Sequence, residues 1–157
     1  MTIRACQQTD APALAALLHK LEGLSTIGAE TLEVTQARIE KHLARIIASD
    51  EHTLLVAVED ENLTGYVSVH WHPTFLQADG EGFISELFVH PDYRMKGLGS
   101  RLVDQVKSEA VARGCSRLSL LNMKHKKSYE RNFYGTRGWE ERLSAANFTL
   151  ALQAHDS

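Results

Sequence analysis

The sequence predicts an α/β protein, a mixed sheet flanked by helices. Three observations carry this. The 157 residues are 43% hydrophobic and 24% charged, which suits one ordinary core, since domains cluster around roughly 100–150 residues. Apolar residues recur at helical spacing before about residue 52 and in strand-like runs after it. One of those runs then passes through a glycine-containing loop directly into a strong amphipathic helix. No repeat, low-complexity stretch or linker divides the chain, so 1–157 is expected to form a single domain.

The elements follow in order. Thr2 to Cys6 reads as a short strand. Asp10 before Ala11 and Pro12 is a helix start, because proline in the first turn gives up an N–H that has no partner there. Leu14, Leu17, Leu18 and Leu21 then predict a helix over about residues 11–22. Gly23 and Gly28 loosen the next stretch, and Thr35 opens a second helix whose face carries Ile39, His42, Leu43, Ile46 and Ile47. Thr53–Val58, Leu63–Trp71 and Gly82–Val89 predict three strands. Leu98, Leu102, Val103, Val106, Ala110 and Val111 form the stripe of a long helix that Gly114 ends. Leu118–Leu121 predicts a strand, Lys126–Thr136 a short helix, and Asn147–Leu152 a final strand. The order is β-α-α-β-β-β-α-β-α-β.

Composition excludes several classes. Net charge is −3 and the 17 basic residues are spread along the chain, so a broad nucleic-acid binder is not expected. Cys6 and Cys115 are too few and too far apart for a disulfide framework or a four-thiolate zinc site. No apolar run approaches the ~18 residues of a membrane helix, and the start lacks a signal-peptide core, so a soluble, cytoplasmic protein without a membrane partner is expected.

The loop Val89-His90-Pro91-Asp92-Tyr93-Arg94-Met95-Lys96-Gly97-Leu98-Gly99-Ser100 joins strand to helix. At a helix N-terminus converging N–H groups and the helix dipole favour an anion. Gly97 and Gly99 allow close main-chain approach, and Arg94 and Lys96 add charge. The physical reading is a diphosphate site, and the plain alternative is a tight strand-to-helix turn. The loop lacks the Gly-Lys-Ser/Thr end of a P-loop, and Leu102 stands where a dinucleotide fingerprint needs its third glycine.

Arg94-x-x-Gly97-x-Gly99, preceded by Leu87 to Tyr93, resembles the acetyl-CoA signature of the GNAT N-acetyltransferase superfamily. Asn62 to Val67 is similar to that family's third strand, and Phe133-Tyr134-Gly135-Thr136-Arg137-Gly138-Trp139 to its C-terminal motif. The resemblance covers about residues 50–140; the first 50 match only in their strand-helix-helix outline. It implies a mixed, mostly antiparallel sheet with a splayed strand pair and about four helices. It also implies one N-acetyltransferase domain that uses acetyl-CoA as co-substrate and no metal.

Under this resemblance the main chain of Leu87, Phe88 and Val89 meets the pantetheine arm. The amides of Met95, Lys96, Gly97, Leu98, Gly99 and Ser100 cradle the pyrophosphate, with Arg94 beside them. Tyr134 matches the tyrosine aimed at the CoA sulfur; a phenol of pKa about 10 is a suitable acid for a thiolate of similar basicity. An ordinary core aromatic is the plain alternative. Glu86 is the candidate base or ammonium anchor, against a structural salt bridge. Polyamine-type members carry two adjacent acids at the positions of Ser85 and Glu86, and strand alternation sends these two residues to opposite faces. Lys127 stands where many members have an asparagine; it meets the 3′-phosphate of CoA or is simply solvated.

His70-x-His72 puts two imidazoles on one strand face without an evident third zinc ligand. With Trp71 they are expected to line the acceptor pocket, whose shape the 24–35 loop completes. Cys115 reads as a buried apolar residue. The expected activity is acetyl transfer from acetyl-CoA to a small-molecule primary amine, a small cationic one, directly in a ternary complex, with the Val89 N–H as oxyanion donor. Alternatives are a CoA-binding sensor or interaction module without turnover, an acetyltransferase of protein amines, and a nucleotide-binding module. A homodimer is expected to use the apolar stretch Phe148–Leu152.

Overall fold

The computed structural model describes residues 1–76 and 79–152. They fall into two compact units, Met1–Leu121 and a second from Asn122 onward.

The first unit holds a five-stranded sheet: β1 (Thr2–Ala5), β2 (His52–Glu59), β3 (Asn62–His72), β4 (Glu81–Val89) and β5 (Arg117–Leu120). Neighbours follow chain order and pair antiparallel except the last pair, β4 with β5, which is parallel. A parallel pair needs a crossover, and α4 (Leu98–Ala112) supplies it. The sheet pairing of β4 to β5 runs only from Glu81↔Arg117 to Ile84↔Leu120. Ser85 to Val89 therefore extend past the last pair, because β5 itself ends at Leu120.

Strand alternation gives the sheet two apolar faces. On one, Val56 and Tyr66 pack with Leu14 and Leu17 of α1 (Ala11–His19) and Leu43 of α3 (Leu32–Ile47). On the other lies α4, with Leu102, Val103 and Val106 fully buried. Each such side chain contributes about 1.5–3 kcal/mol by leaving water. The i, i+4 and i+1 spacing of these residues is the stripe read from the sequence.

Several boundaries differ from expectation. α1 stops at His19, because Lys20 and Leu21 donate back to the carbonyls of Leu17 and Leu18 and Gly23 then turns the chain at φ +79°. A four-residue helix, α2 (Ser25–Gly28), replaces an expected loop. α3 begins at Leu32 rather than Thr35, since Thr31 Oγ1 accepts the Val34 N–H at 3.3 Å and caps it one turn earlier. Thr35 is instead fully buried, and Ile47, expected on the packed face, is 50% exposed.

The second unit contains α5 (Lys127–Glu130) and a 3₁₀ turn at Gly135–Arg137 in place of one helix over 126–136. Asn132 adopts φ +53°, which breaks the helix between them. Asn147–Leu152 is not a strand: these residues have no regular structure, and Phe148, Leu150 and Leu152 are 84–91% exposed. Alternating apolar residues imitate a strand, but they pair with none among the described residues.

Candidate functional site

The strand β4 organises the site. Opposite β3 its register runs Glu86↔Ser68 and then Ile84↔Val69, so Ser85 has no counterpart. It is the extra residue of a β-bulge. The bulge cancels one step of alternation, and Ser85 and Glu86 both line the same cavity. The expectation that they face opposite sides is thereby corrected: alternation holds only where pairing is one to one.

That cavity, about 680 Å³, lies between the sheet and the helices α1, α2 and α3. Leucine and isoleucine from the helices make most of its walls, while β2, β3 and β4 supply His52, Tyr66, Ser68, His70, Ser85 and Glu86. The Tyr66 hydroxyl donates to Glu86 Oε2 at 2.9 Å. No cation lies within ion-pair reach of Glu86 among the described residues, so the salt-bridge alternative is not what the structure contains. Arg38, also on the wall, is closed in a bidentate pair with Glu30 at 2.7 and 3.3 Å.

A second polar group sits beside Glu86. His52 Nε2 is 2.7 Å from Ser68 Oγ, and His70 Nε2 is 3.0 Å from Ser85 Oγ. Ser85 Oγ donates to the Ser68 carbonyl at 3.3 Å, so His70 Nε2 is the donor to Ser85. The two imidazoles lie 4.1 Å apart. Burial, and then the neighbouring His70, push His52 down to about 4, and it stays neutral.

The other expected pocket residues divide. His70 lines the cavity, but Trp71 is on the opposite face, where its Nε1 donates to Thr53 Oγ1 at 2.8 Å and Arg113 covers its ring at 4.8 Å. His72 sits opposite Glu81 at the far end of β3. No group of three or more His, Cys, Asp or Glu arranged for a metal occurs among the described residues. Cys115 is half-buried rather than buried. Burial raises its thiol, and burial raises that of Cys6 to about 12, so neither is a poised thiolate.

Beyond Glu86, the half-buried Leu87, Phe88 and Val89 run to the loop. The His90 N–H donates to Thr64 O on β3 at 2.8 Å. N–H directions alternate along a strand, so that of Val89 points to the other edge, where pairing with β5 has ended. Arg94 Nε donates to the Val89 carbonyl at 3.1 Å on that same edge. Pro91–Tyr93 forms a 3₁₀ turn, with Lys96 Nζ 5.1 Å above the Tyr93 ring. Met95 and Gly97 are left-handed at φ +62° and +79°. α4 starts with Leu98, which is 3% exposed and anchors the turn, followed by half-buried Gly99 and Ser100. Gly65 permits this packing, because a Cβ there would meet Phe88 O at 2.8 Å and Leu98 Cδ2 at 3.4 Å. An exposed turn ending in the N-terminus of a buried helix fits an anionic group.

In the second unit, Tyr134 is half-buried, with its ring edge-on to Phe133 at 4.9 Å and to Trp139 at 5.7 Å. Burial raises its phenol above the ordinary value. Lys127 opens α5 and is exposed. Sequence reasoning missed His52, Tyr66, Ser68 and Arg38 as cavity residues. The even-numbered alternation of His52, Leu54 and Val56 was a signal for His52, and that of Tyr66, Ser68 and His70 a signal for the two on β3; Arg38, on α3, left none.

Comparison with known proteins adds to this geometry. Residues 18–139 match the model of the acetyltransferase (GNAT) family. A Bacillus subtilis (strain 168) protein described as an uncharacterized N-acetyltransferase, YhfO, is 29% identical over 161 residues, covering 98% of this chain and 99% of that protein. A transcriptional regulator from Bacillus halodurans C-125 has TM-score 0.83 at 22% identity, over 96% of this chain and 99% of that one. The aminoglycoside acetyltransferase HMB0005, from an uncultured soil metagenomic sample, has TM-score 0.74 at 18% identity, over 97% and 98%. These last two likenesses are of fold alone.

Proposed function

The chain belongs to the acetyltransferase (GNAT) family, and from that footing we propose that it transfers an acetyl group from acetyl-CoA to a small cationic primary amine, directly and in a ternary complex. The observation that carries the reading is Glu86: a carboxylate without a cationic partner, facing a 680 Å³ cavity, on the strand that leads into the Gly97 loop.

Acetyl-CoA supplies an activated acyl group as a thioester. The turn from Met95 to Ser100, with Arg94, would hold its diphosphate, and the free edge of Leu87–Val89 its pantetheine arm. Lys127 is assigned to the 3′-phosphate. Glu86 anchors the incoming ammonium and takes its proton, leaving a nucleophilic nitrogen. The Val89 N–H donates to the carbonyl oxygen as charge grows there. Tyr134 gives its proton to the thiolate as the C–S bond breaks and the N–C bond forms. The raised phenol of Tyr134 keeps that proton in place at neutral pH. The raised thiols of both cysteines support direct transfer over an acyl-cysteine route.

The family match crosses the boundary between the two units, which supports one catalytic domain over 1–157. No described helix is long and apolar enough to cross a membrane, and we place the enzyme in the cytoplasm. The exposed Phe148, Leu150 and Leu152 support a homodimer.

Calorimetric titration with acetyl-CoA, with ATP as control, tests the reading. Micromolar acetyl-CoA binding without ATP binding is expected, followed by amine-dependent thiol release. A folded sample that binds no acetyl-CoA overturns it. Binding without thiol release from any amine would favour a sensor.

A further inference from the structure

Charge and shape in the acceptor cavity narrow the amine. The lining holds two formally charged side chains, Arg38 and Glu86. Arg38 is engaged at both of its terminal nitrogens by Glu30, whose Oε2 also accepts the Thr35 hydroxyl at 3.0 Å. Glu86 has only a hydroxyl partner, Tyr66. The cavity thus offers one uncompensated negative charge and no uncompensated formal positive one among the described residues.

Opposite Glu86 the wall is mostly hydrocarbon, from Leu14 and Leu18 of α1, Leu24 and Ile27 around α2, and Ile39 and Ile46 of α3, interrupted by Ser25, Thr26 and His42, none of which carries a formal charge. A second ammonium placed against it would lose its hydration without a counter-ion, which is strongly unfavourable. An amino-acid carboxylate would meet the same obstacle, since the guanidinium that might receive it is already paired. An alkyl or aryl group would gain by burial there. The volume of about 680 Å³ lies within the range of ordinary small-molecule sites.

We propose that the acceptor is a monoamine with an apolar body, its ammonium at Glu86 and its alkyl or aryl part against the leucine and isoleucine wall. The inference rests on the transferase reading above and narrows it: polyamines, aminoglycosides and free amino acids are poor acceptors.

The test measures kcat/KM by thiol release from acetyl-CoA for hexylamine and phenethylamine against putrescine, spermidine, kanamycin and phenylalanine. At least a tenfold preference for the two apolar monoamines is expected. Equal or better turnover of spermidine, kanamycin or phenylalanine overturns the inference. So does acetyl-CoA binding with no acetylation of either monoamine, which leaves the cofactor assignment standing; failure to bind acetyl-CoA brings down the transferase reading itself. Ile27→Glu, at a half-buried position of α2, adds a second carboxylate to the wall. It should raise the putrescine-to-hexylamine ratio tenfold or more. Leu24→Glu serves the same purpose should Ile27→Glu not fold, and an unchanged ratio in a folded variant counts against the inference.

Discussion

The Tyr66 hydroxyl donates a 2.9 Å hydrogen bond to Glu86 Oε2 across the β3–β4 pair. Tyr66 is 4% exposed, and burial followed by the adjacent carboxylate pushes its phenol far up. The phenol is therefore a permanent donor, and it fixes the orientation of the Glu86 carboxylate. Tyr66→Phe removes that support. The kcat/KM is expected to fall roughly tenfold, the worth of a hydrogen bond to a charged group, with acetyl-CoA affinity retained. An unchanged kcat/KM would detach the Tyr66 contact from the rate.

Glu86→Gln keeps the shape and abolishes the base. Its kcat/KM is expected to fall roughly 10²–10⁴-fold, the usual worth of a positioned acid or base. Calorimetry should still find acetyl-CoA bound.

Tyr134→Phe tests the other end of the proton inventory. Loss of the general acid is expected to lower turnover by roughly 10²–10⁴-fold without loss of cofactor binding. Unchanged turnover removes Tyr134 from that role.

Gly97 has φ +79°, yet nothing lies within 4 Å of where its Cβ would be. Gly97→Ala and Gly97→Glu thus share a conformational cost of about 1–2 kcal/mol and differ in charge. Acetyl-CoA affinity of the Glu variant is expected at least tenfold below that of the Ala variant. Equal affinities would refute the anion cradle.

Stability should decline on acidification in two stages. His52, ordinarily 6.5, is held down to about 4 in the folded state by burial and then His70. The unfolded chain therefore binds more protons between those values, and stability falls as pH drops from 6.5 towards 4, levelling below. Asp10 is held below its ordinary value, chiefly by hydrogen bonds from the Arg4 guanidinium at 2.7 and 2.8 Å. Its contribution is present above the unfolded value and is lost as pH falls through the folded one. Thermal melts at pH 7, 6 and 5 should show a shallower loss of Tm in His52→Asn than in the native protein.

Much of this was legible in residue order. The stripe of α4 and the Arg94–Gly99 spacing follow from local rules, and local rules suffice where a segment's own periodicity sets its contacts. Thr31 was a readable cap that the more distant Thr35 obscured. What was not readable is that Ser85 joins Glu86 in the cavity: Ser68 and His70 share a face by plain alternation, but Ser85 reaches it because pairing slips by one residue between Ser68 and Val69, and register belongs to two strands at once. Arg38 is likewise neutralised only by its approach to Glu30 in the folded chain. Phe148 to Leu152 shows the converse failure, a strand-like pattern without a neighbour to complete it.

The slip in β4 also acts as a phase marker. Upstream of it Ile84 belongs to the layer packed by α4; downstream, Glu86 and Phe88 belong to the cavity layer. Removing the residue at position 85 would restore strict alternation with Glu86 still opposite Ser68 and still in the cavity layer, so the carboxylate would stay while the hydroxyl that joins His70 to the Ser68 carbonyl is lost. Replacing the residue is a different matter. Position 85 has no register partner, while its hydroxyl is bonded across the pair to His70 and to the Ser68 carbonyl, so exchanging it keeps the sheet and changes the polar contacts of the cavity. It is the place where a lineage could retune the acceptor without first having to rebuild the fold.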